Sequence, residues 1–246
     1  MAPQKTYLGA SARGAVPEPS SRRRSPREER FDFHSHSFLS DGDSSATDMW
    51  NEAQSLGHRV LALTDHLSLD DPVPLLNRLR REATAWEGSQ FVPLVGVELT
   101  KIPPRRIAAA AKAARNAGAE IILVHGESLV ENTPPGTNRA AVESGLIDIL
   151  AHPGLLSLKE AELAKEHSVI LEISARRGHS LANGHVAQMA RETGAELVVD
   201  SDAHNPVELV PAPLARRIAL GAGIPQDQTD RVLRATPEAL LHRCRR

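Results

Sequence analysis

Cysteine is almost missing from this chain: there is one in 246 residues, Cys244, near the C-terminus and among arginines. A disulfide framework within the chain is thereby excluded, metal ligation by thiolates has no support, and a reducing, cytoplasmic setting is the default expectation. Aromatic residues are also scarce, at 3% of the chain, too few for the stacking platforms on which single-stranded nucleic acids are held. The formal net charge is only −2, so the chain as a whole is no electrostatic sink for nucleic acid or an anionic membrane. No segment approaches the roughly 20 consecutive apolar residues that span a bilayer, and a membrane partner is not expected. No internal repeat is present, and nothing in the sequence sets an oligomeric state.

Residues 1–30 differ in character from the rest. They are rich in Pro, Ser, Ala and Arg, contain Ser21-Arg-Arg-Arg-Ser25, and have almost no apolar side chains with which to order themselves. We read them as a disordered basic tail. The apolar segment of a secretory signal is missing, and Glu18, Glu28 and Glu29 dilute the charge that a transit peptide or a nucleic-acid contact would use. The remainder, 31–246, has the length of one barrel-sized domain and closes with a helix over about 226–246, restarted at Thr236-Pro237.

Within that domain seven short runs rich in Val, Ile and Leu read as strands: 30–34, 60–64, 92–97, 120–124, 147–151, 169–173 and 197–199. Helical segments lie between them. Those over 45–56, 104–117 and 181–193 are each followed by a glycine, Gly57, Gly118 and Gly194, suited to the left-handed turn that ends a helix. Strand alternating with helix implies parallel strands and right-handed crossovers. The expected fold is α/β, a seven-stranded (βα)7 TIM-like barrel, with an open doubly wound sheet as the second choice.

Six of the seven runs lead into His, Asp or Glu. His34 and His36 follow the first, with Asp41 or Asp43 in the polar loop beyond; His66 follows the second, preceded by Asp65, placed to orient a ligand. Glu98 follows the third, His125 the fourth, His152 the fifth, and Asp202 with His204 the seventh. Imidazole and carboxylate suit borderline divalent metals such as Mn, Fe or Zn, and all C-terminal strand ends of a barrel share one mouth. A glutamate after a buried strand is costly unless it is paired or bound to metal, and a carboxylate can bridge two ions, which makes Glu98 the expected hub. The sixth run lacks such a ligand at its exit, although Glu172 lies inside it; the loop that follows carries Arg176, Arg177 and His179, candidates for binding a phosphate, with Lys101 and Arg139 on other loops of the same face.

In order, His-X-His, Ser-Asp-Gly, Thr-Asp-His, Gly-X-Glu, Val-His-Gly, Ala-His-Pro-Gly and Asp-X-His resemble the polymerase and histidinol phosphatase (PHP) superfamily, from about Phe31 to at least Asn205. The resemblance implies a distorted seven-stranded barrel and three divalent metal ions. His34, His36, Glu98 and Asp202 would hold the first ion, Glu98, His125 and His152 the second, and Asp41, His66 and His204 the third. It implies a phosphoesterase with Asp41, Glu98 and Asp202 at the reaction centre, acting through a metal-bridged hydroxide on a small phosphorylated substrate such as histidinol phosphate. The leaving group would take its proton from Asp41 or a metal-bound water. A nuclease or nucleotide phosphoesterase is the alternative, with nucleic acid the less favoured partner; a metal-binding module without catalysis ranks last because every ligand position is filled.

Overall fold

The computed structural model describes residues 29–245; most of the tail expected over 1–30 lies outside them, and Arg30 is already buried in the first strand. The elements run β1 (Arg30–Asp32), α1 (Ala46–Ser55), β2 (His58–Leu63), β3 (His66–Leu67), α2 (Pro72–Ala83), β4 (Val92–Leu99), α3 (Ile107–Asn116), β5 (Ile121–His125), α4 (Thr137–Ser144), β6 (Ile149–Ala151), α5 (Leu158–Glu166), β7 (Ile170–Ser174), α6 (Asn183–Thr193), β8 (Leu197–Asp200), α7 (Ala212–Gly221) and α8 (Thr236–Cys244). Every ladder is parallel, in the order β1-β2-β4-β5-β6-β7-β8, with the two-residue β3 paired to β4 beside that path. Seven strands with helices between them make a nearly closed barrel, as expected.

Local chemistry starts and stops the helices. Ser45 caps α1 by accepting the Asp48 N–H at 3.0 Å, and the buried Ala46, Met49, Trp50 and Ala53 recur at helical spacing to cover β2, where the Trp50 indole donates to the Leu61 carbonyl. The helices anticipated over 45–56, 104–117 and 181–193 are present with slightly different ends, as α1, α3 and α6, and the closing helix expected over about 226–246 is present as α8 from Thr236, after a π-helical turn over Arg231–Ala235. The fourfold remainder, α2, α4, α5 and α7, was not among them.

Two apolar clusters divide the side chains by strand parity. Val95, Val97, Ile122, Val124, Leu171 and Val199 pack outward under the helices, whereas Val92, Leu94, Ile121, Leu123, Ile170 and Val198 fill the barrel. Continuing the inward parity toward the strand exits leads from Leu94 to Glu98, from Leu123 to His125, from Ile170 to Glu172, and from Val198 to Asp202. An apolar floor therefore becomes a polar mouth without a change of pattern. Leu240 of α8 joins the inner cluster, and Arg243 reaches the Ser168 carbonyl before β7, so α8 covers the strand starts opposite the mouth.

β1 and β8 do not form a ladder with one another. Their seam is closed by side chains: Asp200 accepts the Phe33 N–H at 2.8 Å and Asp32 accepts the Ser201 N–H at 3.0 Å, above which Ser35 bridges Ala203. Gly96, on the inward parity of β4, is required by a close approach: a Cβ there would fall within contact distance of the Ile121 carbonyl and side chain on β5. Gly96→Ala should therefore destabilise the fold by about 1–3 kcal/mol, the usual cost of overpacking. An unchanged melting temperature would show that the β4–β5 pair can part to admit the methyl group.

Candidate metal centre

All nine ligand-type residues meet at the mouth. β1 stops at Asp32 rather than His34, so His34 and His36 lie beyond the strand, but the bridge at Ser35 holds the segment extended and both rings reach the same place, with their Nε2 atoms 3.0 Å apart. Around that pair, His34 Nε2 lies 3.4 Å from Glu98 Oε2 and 3.6 Å from Asp202 Oδ1, while His36 Nε2 lies 3.6 and 3.3 Å from the same two oxygens. Ligands about 2.0–2.1 Å from a tetrahedral ion are separated by roughly 3.4 Å. The spacing of these four atoms therefore fits one ion.

The other oxygen of Glu98 faces a different set. Oε1 is 3.4 Å from His125 Nδ1 and 3.4 Å from His152 Nε2. A third group forms where Asp41 Oδ1 lies 3.2 Å from His204 Nε2 and Asp41 Oδ2 lies 3.4 Å from His66 Nε2, with His36 beside them. Asp41, not Asp43, thus joins this group from the loop that composition left ambiguous; Asp43 instead donates its backbone N–H to the His204 carbonyl. His66 also faces Glu98, with Nδ1 2.7 Å from Oε2.

Two further observations favour ions at these positions. Both oxygens of the fully buried Glu98 lack a directed hydrogen bond, as do His36 Nδ1 and both nitrogens of His125; buried polar atoms left in that state are costly without a partner such as a metal. His152 and Asp202 also hold φ values of 27° and 52°, a left-handed backbone that non-glycine residues adopt at a cost and that clusters at functional sites. Gly154 makes the turn after His152, with φ 62°, and lies so close to the Glu127 carbonyl that no side chain would fit.

Without ions the cluster neutralises itself with protons. Burial opposes charge on His34, but Asp202, Glu98 and Glu172 hold it well above the ordinary imidazole range; His66 likewise is raised to about 10, against burial, by Glu98 and Asp41. His152 is raised in the same way. Burial, with the charges of His66 and His34, pushes His36 down to about 3, and burial with His152 pushes His179 down to about 4. Burial would raise Glu98, Asp202 and Asp41, yet the surrounding imidazoles hold all three below the usual carboxylate range.

These shifts give the metal-free protein a stability maximum in pH. The folded chain keeps protons on His34, His66 and His152 that the unfolded chain loses above about pH 6.5, so stability falls as pH rises from there toward about 10. Asp200, raised by burial and by Asp32 and Glu172, acts in the same direction. His36 and His179 act oppositely: the unfolded chain takes up their protons below about 6.5, and stability falls as pH drops toward about 4. We expect the melting temperature in chelator to peak near pH 6.5, with the alkaline decline flattened by bound metal, which needs unprotonated imidazoles. A melting temperature that climbs steadily to pH 9 in chelator would contradict this charge assignment.

The phosphate-binding candidates separate into two groups. Arg176 reaches the centre: Nη1 lies 2.7 Å from His204 Nδ1, donates to the Asp202 carbonyl at 3.0 Å, and is 3.5 Å from Glu208. His179 stacks on His152 with ring centroids 4.0 Å apart, and its Nε2 is 3.7 Å from Asp202 Oδ2. Arg177 and Lys101 are exposed, and among the described residues neither makes a hydrogen bond or ion pair with the cluster. Arg139 lies on α4, paired with Glu143 at 2.7 Å.

Asp65 acts on the loop of Asp41 rather than on the adjacent His66: it accepts from the Ser37 N–H and from the Ser37 and Ser40 hydroxyls, fixing the segment that carries Asp41. Sequence reasoning also passed over Glu131, which lies 3.6 Å from His125 and 3.3 Å from His179. It sits mid-loop without periodicity, and no local signal marks it.

The sequence profile of the PHP domain matches residues 32–193. An uncharacterized protein of Methanocaldococcus jannaschii is 39% identical over 216 residues, covering 87% of this chain and 99% of the relative. Ribonuclease P protein component 3 of Methanosarcina acetivorans is 27% identical over 86% of this chain and 88% of its own length. A "Probable phosphatase" of Shewanella frigidimarina is 32% identical over 44% of this chain and 50% of that protein. Among solved structures, the A. niger ochratoxinase superposes on 87% of this chain and 71% of its own, with TM-score 0.57 and 12% identity, a likeness of fold alone. No helix among the described residues is long and apolar enough to cross a membrane.

Proposed function

Since the chain belongs to the PHP domain family, we propose that it is a metal-dependent phosphoesterase that hydrolyses the phosphate monoester of a small metabolite, with histidinol phosphate the reference compound. The observation that carries this reading is the division of Glu98, whose two oxygens face different ligand sets at 3.4–3.6 Å. In this reading His34, His36, Glu98 and Asp202 hold one ion, Glu98, His125 and His152 a second, and Asp41, His66 and His204 a third, of Mn, Fe or Zn. Bound ions of this type make water acidic enough to attack phosphorus at neutral pH and offset the charge of the phosphate oxygens.

The chain's own residues supply the rest. Arg176 stands beside the first and third sets, where its guanidinium can pair with a phosphate oxygen once it leaves Glu208. His179, neutral at its depressed value, can donate or accept a single hydrogen bond on the His152 side. Asp41 is half exposed at the mouth and is held ionised, by His66 and His204 against its burial, so at neutral pH its Oδ atoms are suited to ligation or to accepting a proton rather than supplying one. The leaving alkoxide then takes its proton from water.

Arg176→Ala should raise the KM for a phosphate monoester by about tenfold with a much smaller change in kcat, the cost of one charge-assisted hydrogen bond. Kinetics equal to the parent's would remove Arg176 from the substrate site. A second reading, cleavage of phosphodiesters in nucleic acid, is favoured by the near full-length likeness to a ribonuclease P component. The test is phosphate or nucleotide release, in Mn and in Zn, from histidinol phosphate, sugar phosphates, nucleotides and short oligonucleotides, with His125→Ala as control. Metal-dependent release from monoesters supports the proposal; cleavage confined to oligonucleotides favours the second reading, and no release from any substrate refutes both.

A further inference from the structure

β7 alone among the seven barrel strands delivers none of the nine ligand-type residues, yet it carries Glu172, a carboxylate with no exposed surface. Glu172 Oε2 lies 2.8 Å from His34 Nδ1. The opposite nitrogen of the same ring, Nε2, faces His36, Glu98 and Asp202. A neutral imidazole has one N–H and one lone pair, and only the lone pair can meet a cation. Left to themselves, the carboxylates of Glu98 and Asp202 would draw the proton to Nε2 and turn a donor toward the ligand set. Glu172 competes for that proton from the other side of the ring. Among the described residues the Nδ1 atoms of the buried His36 and His152 lack hydrogen bonds, the carboxylate nearest His36 Nδ1 being that of the half-exposed Asp41 at 4.0 Å. Burying a carboxylate costs several kcal/mol unless it is paired, and the neighbouring inward position on this strand, Ile170, shows that the barrel accepts an apolar side chain there.

We infer that Glu172 is a positioning residue for the ion held by the first set: it accepts a hydrogen bond from His34 Nδ1–H, fixes the tautomer whose Nε2 lone pair faces Glu98, Asp202 and His36, and makes that nitrogen a stronger ligand. This rests on the reading of His34 as a ligand. Gln at 172 keeps the size of the side chain and removes its charge, and Asp is too short to span the same distance.

The test measures binding rather than turnover. Zn and Mn affinities of the parent and of Glu172→Gln are measured by competition with a chromogenic chelator, together with the rise in melting temperature on loading. Affinity for the tightest ion should fall about 10- to 100-fold, and the rise on loading should shrink. In a His34→Gln background the same substitution should weaken binding no further, because it acts through that ring. Affinity unchanged while both metal-free and loaded proteins melt lower would indicate a purely structural residue and overturn the inference, as would additivity of the two substitutions. A parent that binds no divalent ion overturns the ligand reading itself, and this inference with it. The parent alone supplies a further check should the variant fail to fold: 1H–15N spectra of the Zn-loaded protein should show His34 with a proton on Nδ1 and Zn on Nε2, and the reverse arrangement overturns the assignment.

Discussion

Glu98→Gln should lower kcat at least about a thousandfold, equivalent to roughly 4 kcal/mol of transition-state stabilisation, and should remove two of the three proposed ions. The expectation follows from position. Glu98 is fully buried at the exit of β4, and its two oxygens are the shared members of two ligand sets, one with His34, His36 and Asp202 and one with His125 and His152. Gln would keep the shape but replace one oxygen by an NH2 group, a donor facing imidazole nitrogens that must themselves remain lone pairs toward a cation. The variant should still fold, because the β4 backbone and its outward-facing Val95, Val97 and Leu99 are untouched. Phosphate release and elemental analysis on the same preparation check both halves. Activity within tenfold of the parent, with full metal content, would remove Glu98 from the centre.

Stripping the metal should have an effect of similar size. After chelation and dialysis, hydrolysis should fall by about a thousandfold or more, because the attacking water of this reading needs bound metal and the one cysteine, Cys244, lies on α8 at the opposite end of the barrel, its thiol pushed up to about 12 by burial and by Asp148. Adding Mn or Zn should restore the rate. The stripped protein should also melt lower than the loaded one, most visibly at alkaline pH, where protons no longer neutralise the clustered carboxylates. Full turnover in protein shown to be free of metal would point to a side-chain nucleophile and a different reaction.

The barrel was legible because its strands are short, apolar and parallel, so each appears as a compact Val-, Ile- and Leu-rich run whose exit bears a polar residue. Helices with a long apolar stripe and a terminal glycine were legible for the same reason. α2 was not, because Pro72 and Pro74 at its start read as loop residues although Asp71 caps it, and α4 is eight residues between two left-handed glycines. α5 did carry a signal: Ser157 and Glu160 form a reciprocal capping box.

In the site, the side chains that converge on the mouth and their order could be read directly, because few residue types suit a divalent metal. Composition could not choose between Asp41 and Asp43, and only the family resemblance pointed to Asp41, since the choice depends on how the Ser37–Ser40 turn is pinned by Asp65. Nor could the fate of the basic residues be read from sequence: Arg139 pairs along its helix with Glu143, whereas Arg176 turns inward to Asp202 and His204. A cation's neighbours in space decide this, and its neighbours in sequence say little.

The most direct measurement is the number of ions per chain, by elemental analysis of protein purified without chelators, saturated with Mn or Zn and freed of excess. The three ligand sets of the proposed reading, two of them sharing Glu98, lead us to expect three ions per chain. Fewer than two would contradict the account.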